Sequence, residues 1–146
     1  RTMSRADGRA GPADGATVTS MGWERRPEAL GEVCRWVASR WSTPMLITEN
    51  GYVGDDDARR SAFIGAAIEG LREAIAAGAD VRGYFYWSLL DNFEWLFGYR
   101  QRFGLVAVDR TTQKRSIKPS AAVLRDRASG DLQALRAEAW FNATLC

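Results

Sequence analysis

Hydrophobic positions along the chain alternate between helical spacing and short continuous runs. Apolar residues recur every three or four positions over about 27–41 and about 58–77, which predicts two helices with one buried face each. A continuous apolar run follows at 45–47 and is typical of a strand buried on both faces of a parallel sheet, and the stretch 81–88, dense in aromatic residues, predicts a second strand. The order helix, strand, helix, strand predicts βα units.

The remaining segments carry weaker patterns. Residues 1–20 predict a loop or linker, because glycine and proline interrupt any periodicity. A short strand is expected at about 103–108, and Ser120 is expected to cap a helix that ends near 128. A further amphipathic helix is predicted at about 131–141.

Composition narrows the class of protein. A hydrophobic content of 46% and a charged content of 26% indicate a globular chain. The net charge is +2 and the arginines are scattered, so no nucleic-acid partner is expected. No apolar run approaches the roughly 20 residues of a membrane span, and no signal-peptide pattern is seen, so we expect no membrane association and a cytoplasmic location. The 146 residues include no histidine, which excludes His-dependent triads and His zinc sites from this sequence.

One carboxylate comes directly after a predicted buried strand. Glu49 follows the run 45–47, where burying a charge is costly unless the group has partners or work to do. In a βα barrel that end of the strand is the active-site face. Asn50 and Gly51 come next, and the glycine allows a tight turn that aims the carboxylate. From this residue alone, a helix cap or a surface acid is the favoured interpretation.

The second predicted strand ends in a dense set of aromatic, acidic and amide residues. Its members are Trp87, Asp91, Asn92, Phe93, Glu94 and Trp95. Indole rings pack on the apolar face of a pyranose, and carboxylates accept hydrogen bonds from sugar hydroxyls. The alternative is an ordinary aromatic core patch, to which we expect Phe85 and Phe93 to belong. The set therefore predicts a sugar site beside part of the core.

Two motifs in this order resemble the last two barrel strands of glycoside hydrolase family 1. They are ITENG at 47–51 and YFYWSLLDNFEW at 84–95, with matching flanks MGWERRPEAL at 21–30, YRQRFGLVAVD at 99–109 and QKRSIKPS at 113–120. The resemblance covers about residues 20–128. It implies an α/β fold that forms the C-terminal quarter of a (β/α)8 TIM barrel, with its last two strands and flanking helices. We then expect 1–20 as linker, 21–128 as the barrel part and 129–146 as a C-terminal extension.

The resemblance also implies a role for each matched residue. Glu49 corresponds to the catalytic nucleophile of a retaining β-glucosidase. Glu94 corresponds to the carboxylate that holds the outer hydroxyls of the non-reducing sugar. Trp95 corresponds to the neighbouring indole, Trp87 to the platform beneath the sugar, and Phe103 to a residue bordering the site. Because Glu94 would repel a phosphate, unphosphorylated β-glucosides are the implied substrates. No cofactor or metal is implied.

The second catalytic carboxyl does not occur at a recognisable position. A retaining mechanism needs two carboxyls about 5 to 5.5 Å apart, and the family's acid/base lies in a TxNEP-type motif that this sequence lacks. We therefore expect the 146 residues alone to be inactive, marginally stable and prone to associate, with a missing N-terminal barrel portion as partner. The alternatives are a non-catalytic truncated remnant and a carbohydrate-binding segment. The sequence leaves the oligomeric state open.

Overall fold

The computed structural model describes residues 3–4 and 10–129. Its elements in chain order are β1 Met3–Ser4, β2 Ala10–Gly11, α1 Ala29–Ala38, β3 Met45–Asn50, α2 Asp57–Ala76, β4 Val81–Tyr86, a 3-10 helix Trp95–Phe97, β5 Val106–Val108, β6 Arg115–Ile117 and α3 Pro119–Ser129. Strands β3 and β4 pair in parallel, while β1–β2 and β5–β6 are antiparallel pairs. No helix in this described part is long and apolar enough to cross a bilayer.

A βαβ unit organises the structure. The chain passes from β3 through α2 back to the parallel neighbour β4, and α2 packs against both α1 and α3. The main core contains the buried residues Cys34, Ile64, Ile68, Leu71, Ala74, Ala79, Val81, Tyr84, Leu105 and Leu124. The carboxyl ends of β3 and β4 therefore lie side by side at one edge of this layer, as parallel pairing requires. The predicted parallel strands and their connecting helix are confirmed.

Local chemistry explains where α2 begins and how it packs. The carboxylate of Asp56 accepts the backbone N–H of Arg59 at 3.0 Å, which caps the first turn of α2. Gly78 follows the helix with φ +98°, a backbone conformation that favours glycine. Gly31 of α1 faces Gly70 of α2 so closely that a Cβ on Gly31 would lie 2.2 Å from the Gly70 carbonyl oxygen. Two glycines thus allow the two helix backbones to touch.

Several boundaries differ from the sequence predictions. Helix α1 is shorter than 27–41, β3 continues beyond 45–47 to Asn50, and β4 ends at Tyr86. The strand expected at 103–108 is confined to β5, which pairs with β6, a strand that the sequence did not predict. The 1–20 stretch contains the short strands β1 and β2 as well as loop. The helix predicted at 131–141 lies outside the described residues, as does nearly all of the 129–146 extension.

The predicted cap of α3 was wrong. Helix α3 begins at Pro119, whose missing N–H suits a first helical position, so Ser120 lies inside the first turn. Ser120 instead directs its N–H and its hydroxyl to the carboxylate of Asp57, at 2.8 and 2.7 Å. This contact joins the start of α3 to the start of α2.

Candidate active site

All five residues predicted for the site line one cleft. The cleft has a volume of about 660 Å³ and is lined by Trp23, Glu49, Asn50, Gly51, Trp87, Asn92, Phe93, Glu94, Trp95 and Phe103. It lies at the carboxyl ends of β3 and β4, where parallel pairing brings two stretches together that are separate in sequence. The structure therefore places Glu49, Trp87, Glu94, Trp95 and Phe103 around the same space.

Glu49 is held by its neighbours on the strand. Its own side chain is exposed to the cleft, whereas the next residue, Asn50, is tied down. The Tyr84 hydroxyl donates to the Asn50 side-chain oxygen at 2.9 Å, and the Trp87 N–H donates to the Asn50 carbonyl at 2.9 Å. Burial raises the pKa of Tyr84, so its hydroxyl keeps the proton that it donates. These bonds fix the backbone that carries the carboxylate.

Gly51 brings this backbone into direct contact with the second strand end. A Cβ at Gly51 would lie 1.8 Å from the carbonyl oxygen of Trp87 and 2.9 Å from its carbonyl carbon. Both obstacles are backbone atoms, which cannot rotate away as a side chain would. Glycine is therefore required here for close approach, and the spacing of Glu49 and Trp87 depends on it.

The loop after β4 carries the second carboxylate. The N–H of Glu94 donates to the Gly98 carbonyl at 2.7 Å, and the N–H of Phe97 donates back to the Glu94 carbonyl at 2.8 Å. This tight turn contains the 3-10 helix and leaves Trp95 82% exposed at the rim of the cleft. Glu94 is half-buried within the same lining. An indole and a carboxylate thus stand next to each other facing open space.

Phe103 and Trp23 form the opposite wall. Phe103 is only 4% exposed, and its ring centroid lies 6.2 Å from that of Trp23. The Trp23 carbonyl accepts the Thr19 N–H at 2.8 Å within a tight turn, and the Ser20 hydroxyl donates to Gln101 at 2.6 Å. The sequence alone did not indicate a role for Trp23. The available signal was its place in the MGWE stretch, one of the flanks of the two motifs.

Phe93 corrects one expectation about the core. It was assigned to the aromatic core, but it is 55% exposed, lines the cleft and meets Tyr99 edge to face at 5.3 Å between centroids. The chain leaves the sheet after Tyr86, so the alternation of faces in β4 no longer governs this position. The neighbouring Asn92 also lines the cleft, and its buried Oδ1 has no hydrogen-bond partner within the described residues.

Comparisons with known proteins agree with this geometry. The family model for glycosyl hydrolase family 1 matches residues 4–129, beginning earlier than the resemblance expected from the motifs. The chain is 41% identical over 115 residues to a β-galactosidase of Saccharolobus solfataricus, covering 79% of this chain and 24% of that protein. It is 44% identical over 112 residues to β-glucosidase A of Thermotoga maritima, covering 70% and 25%.

Solved structures show the same similarity in three dimensions. A psychrophilic β-glucosidase from Micrococcus antarcticus superposes with a TM-score of 0.77 at 39% identity, over 82% of this chain and 28% of that one. A family 1 β-glucosidase from Thermotoga maritima gives 0.73 at 39%, over 77% and 28%. The chain spans about a quarter of the length of its curated relatives. Family 1 β-glucosidases have a TIM-barrel fold, and this chain belongs to glycosyl hydrolase family 1.

Proposed function

We propose that this chain supplies the nucleophile and one sugar-binding wall of a retaining β-glucosidase. The substrates would be unphosphorylated β-D-glucosides, cleaved at the non-reducing end once the rest of the barrel is present. The observation that carries the proposal is the cleft itself, in which Glu49 shares the space with Glu94, Trp87 and Trp95. An accessible carboxylate, an acceptor for hydroxyls and indole faces are the groups that such hydrolysis uses.

The reaction assigns one bond-making step to this chain. The Glu49 carboxylate attacks the anomeric carbon and forms a glycosyl ester, while an acid/base carboxyl protonates the departing oxygen. Water, deprotonated by the same acid/base, then attacks the anomeric carbon and releases Glu49 and the sugar with retained configuration. Glu94 would accept hydrogen bonds from the outer hydroxyls of the glycosyl unit. Trp87 and Trp95 would pack against its C–H face.

The charge of the cleft supports an unphosphorylated substrate. Of the residues that line it within the described chain, Glu49 and Glu94 are acidic, and none is lysine or arginine. A sugar phosphate would bring its two negative charges next to Glu94 without a cation to offset them. A neutral hydroxyl meets an acceptor at the same place. The cleft therefore favours neutral glycosides.

The surface around β3 supports a further barrel portion as the partner. In the described residues, the parallel sheet consists of β3 and β4 alone. Leu46 of β3 is 61% exposed, and Trp36 and Trp41 near the end of α1 are also exposed. Tryptophan side chains are on average highly buried in folded proteins. We propose that the missing barrel strands cover them and contribute the acid/base. The 146-residue chain by itself should then show no turnover.

The decisive experiment restores a barrel around the cleft. We fuse the 146-residue chain to the part of Thermotoga maritima β-glucosidase A that precedes the region matched by this chain, with the relative's part at the N-terminus. We call this protein the barrel fusion. It is treated with a 2-deoxy-2-fluoro-glucoside, whose fluorine slows release of the covalent intermediate. We expect peptide mapping to find the label on Glu49. Glu49→Gln should lower turnover of an aryl β-glucoside by more than about 1,000-fold.

The outcomes are separable. If the barrel fusion hydrolyses substrate but the label is found on another residue, the proposed role of Glu49 is contradicted. The same part of the relative, expressed without this chain, is the control for background activity. A second candidate function is sugar binding without turnover, which the exposed indole of Trp95 favours. Tryptophan fluorescence of the complete chain, titrated with cellobiose, tests this alternative. Binding together with an inactive barrel fusion would favour it over hydrolysis.

A further inference from the structure

Asp91 is a buried carboxylate that does not line the cleft. It is 3% exposed, and its Oδ1 accepts the Gly104 N–H at 2.9 Å and the ammonium group of Lys118 at 2.9 Å. The guanidinium of Arg102 lies farther away, 3.7 Å from Oδ2. Burying a carboxylate is costly, so its partners must be in place for the local structure to form. Asp91 precedes the cleft residues of the β4 loop directly.

Lys118 joins that loop to the opposite wall. Its ammonium donates to Asp91 and, at 2.7 Å, to the carbonyl of Gly104. Its backbone N–H donates to the Leu105 carbonyl at 2.8 Å. Burial lowers the pKa of Lys118, and the hydrogen bond with Asp91 opposes that effect. One side chain thus holds both the residue before Asn92 and the residue after Phe103.

Backbone hydrogen bonds also join the same two segments, 88–91 and 104–106, directly. The Leu105 N–H donates to the Ser88 carbonyl at 3.0 Å, and the Asp91 N–H donates to the Val106 carbonyl at 3.0 Å. A Cβ on Gly104 would lie 2.2 Å from the Asp91 nitrogen, so the two chains touch at this point. The ion pair lies across this contact. Asp91 and Lys118 therefore lie where the segment that leads to Glu94 meets the segment that carries Phe103.

We propose that Asp91 and Lys118 are positioning residues that hold the two walls of the cleft at sugar-binding distance. This inference rests on the proposed function, because it gives the arrangement of the walls a purpose in substrate binding. Neither residue lines the cleft or touches the reacting atoms. Their effect on the sugar passes through Glu94 and Trp95 on one side and Phe103 on the other.

The effect of Asp91 and Lys118 on the two segments is tested first in the 146-residue chain, by a measurement that does not depend on turnover. Lys118→Met and Asp91→Asn are compared with Lys114→Met, which changes an exposed lysine of the same segment. Hydrogen exchange at the amides of Asp91 and Leu105 should accelerate by about 10-fold or more in the first two variants, and stay unchanged in the third. The Met45 amide, bonded to Asp80 across the strand pair, is the internal reference. Unaltered exchange at Asp91 and Leu105 would overturn the inference.

Kinetics in the barrel fusion then test the purpose. Loosened walls bind the sugar poorly, while Glu49 stays on its strand, so KM for an aryl β-glucoside should rise about 10-fold with kcat within about 3-fold. The double variant D91N/K118M should be no worse than Lys118→Met, because both changes remove one interaction. If the effects of the two substitutions on KM multiply in the double variant, or if KM is unchanged in an active fusion, this inference is refuted and the proposed function still stands. An inactive unsubstituted fusion would instead count against the proposed function. The hydrogen-exchange result would still test whether Asp91 and Lys118 hold the two segments together.

Discussion

Replacing Gly51 with alanine should damage catalysis far more than its single methyl group suggests. The added Cβ would lie 1.8 Å from the Trp87 carbonyl oxygen, whereas carbon and oxygen need about 3.3 Å or more even in a close contact. The ends of β3 and β4 must therefore separate by more than about 1 Å, which strains the bond between the Trp87 N–H and the Asn50 carbonyl. Misplacement by about 1 Å costs on the order of 100-fold in rate.

The assay compares Gly51→Ala with a matched glycine in the barrel fusion. Gly65 lies in α2, where an added Cβ would meet only the Arg127 side chain at 3.9 Å. Gly65→Ala should leave kcat/KM unchanged and stabilise the protein by up to about 1 kcal/mol. Gly51→Ala should lower kcat/KM by about 100-fold and destabilise the protein by about 1–3 kcal/mol. Equal activity of the two variants would show that the close approach of the strand ends does not position Glu49.

Two further predictions concern the ion pair between Arg60 and Asp57, and both are measured by urea unfolding of the 146-residue chain. Arg60 is fully buried and donates hydrogen bonds to Asp57 and to the carbonyls of Gly54 and Arg102. Arg60→Met should therefore lower the free energy of unfolding by about 3–5 kcal/mol, which is enough to remove the cooperative transition. An unfolding transition at the original urea concentration would contradict this. Burial alone would raise the pKa of Asp57, but hydrogen bonds from Ser120 and Arg60 outweigh it and the pKa lies below its ordinary value of 3.8. A carboxyl group whose pKa is lower in the folded state stabilises the fold above its unfolded-state pKa, and this stabilisation is lost as the pH falls through its folded-state pKa. Asp57→Asn should therefore be less stable than the unsubstituted chain at pH 7, and the difference in unfolding free energy should narrow below about pH 3.8. A difference that does not change with pH would refute this prediction.

Strand order by itself accounts for two of the five predicted cleft residues. Glu49 and Trp87 end neighbouring parallel strands, and that placement is a consequence of the βαβ pattern alone. Trp23 could not be placed in this way, because its turn reaches the cleft through contacts with Gln101 and Phe103. Such contacts depend on tertiary packing and leave no periodic signal. The exposure of Phe93 was missed for a related reason, since the strand period no longer applies once the chain has left β4.

The charged contacts were equally hidden from the sequence. Lys118 lies in a stretch that matched a family flank, and nothing in its spacing pointed to Asp91. Ser120 carried a plausible capping signal, but the carboxylate of Asp57 was its partner, far away along the chain. Short polar side chains have several ways to satisfy their hydrogen bonds locally or at a distance. Only the fold decides which is used.

Contacts within the described residues hold the backbone beside Glu49 and the loop that leads to Glu94. Tyr84 holds Asn50, the Trp87 backbone holds the same residue, and Lys118 joins the loop of Asp91 to the opposite wall. Leu46 of β3 and Trp36 of α1, which are also exposed, take no part in these hydrogen bonds. Contacts within this chain therefore contribute to the mutual geometry of Glu49 and the proposed sugar-binding groups. Under the proposed retaining mechanism, the distance from Glu49 to the acid/base would be about 5 to 5.5 Å, and the packing of further barrel strands against β3 would set it.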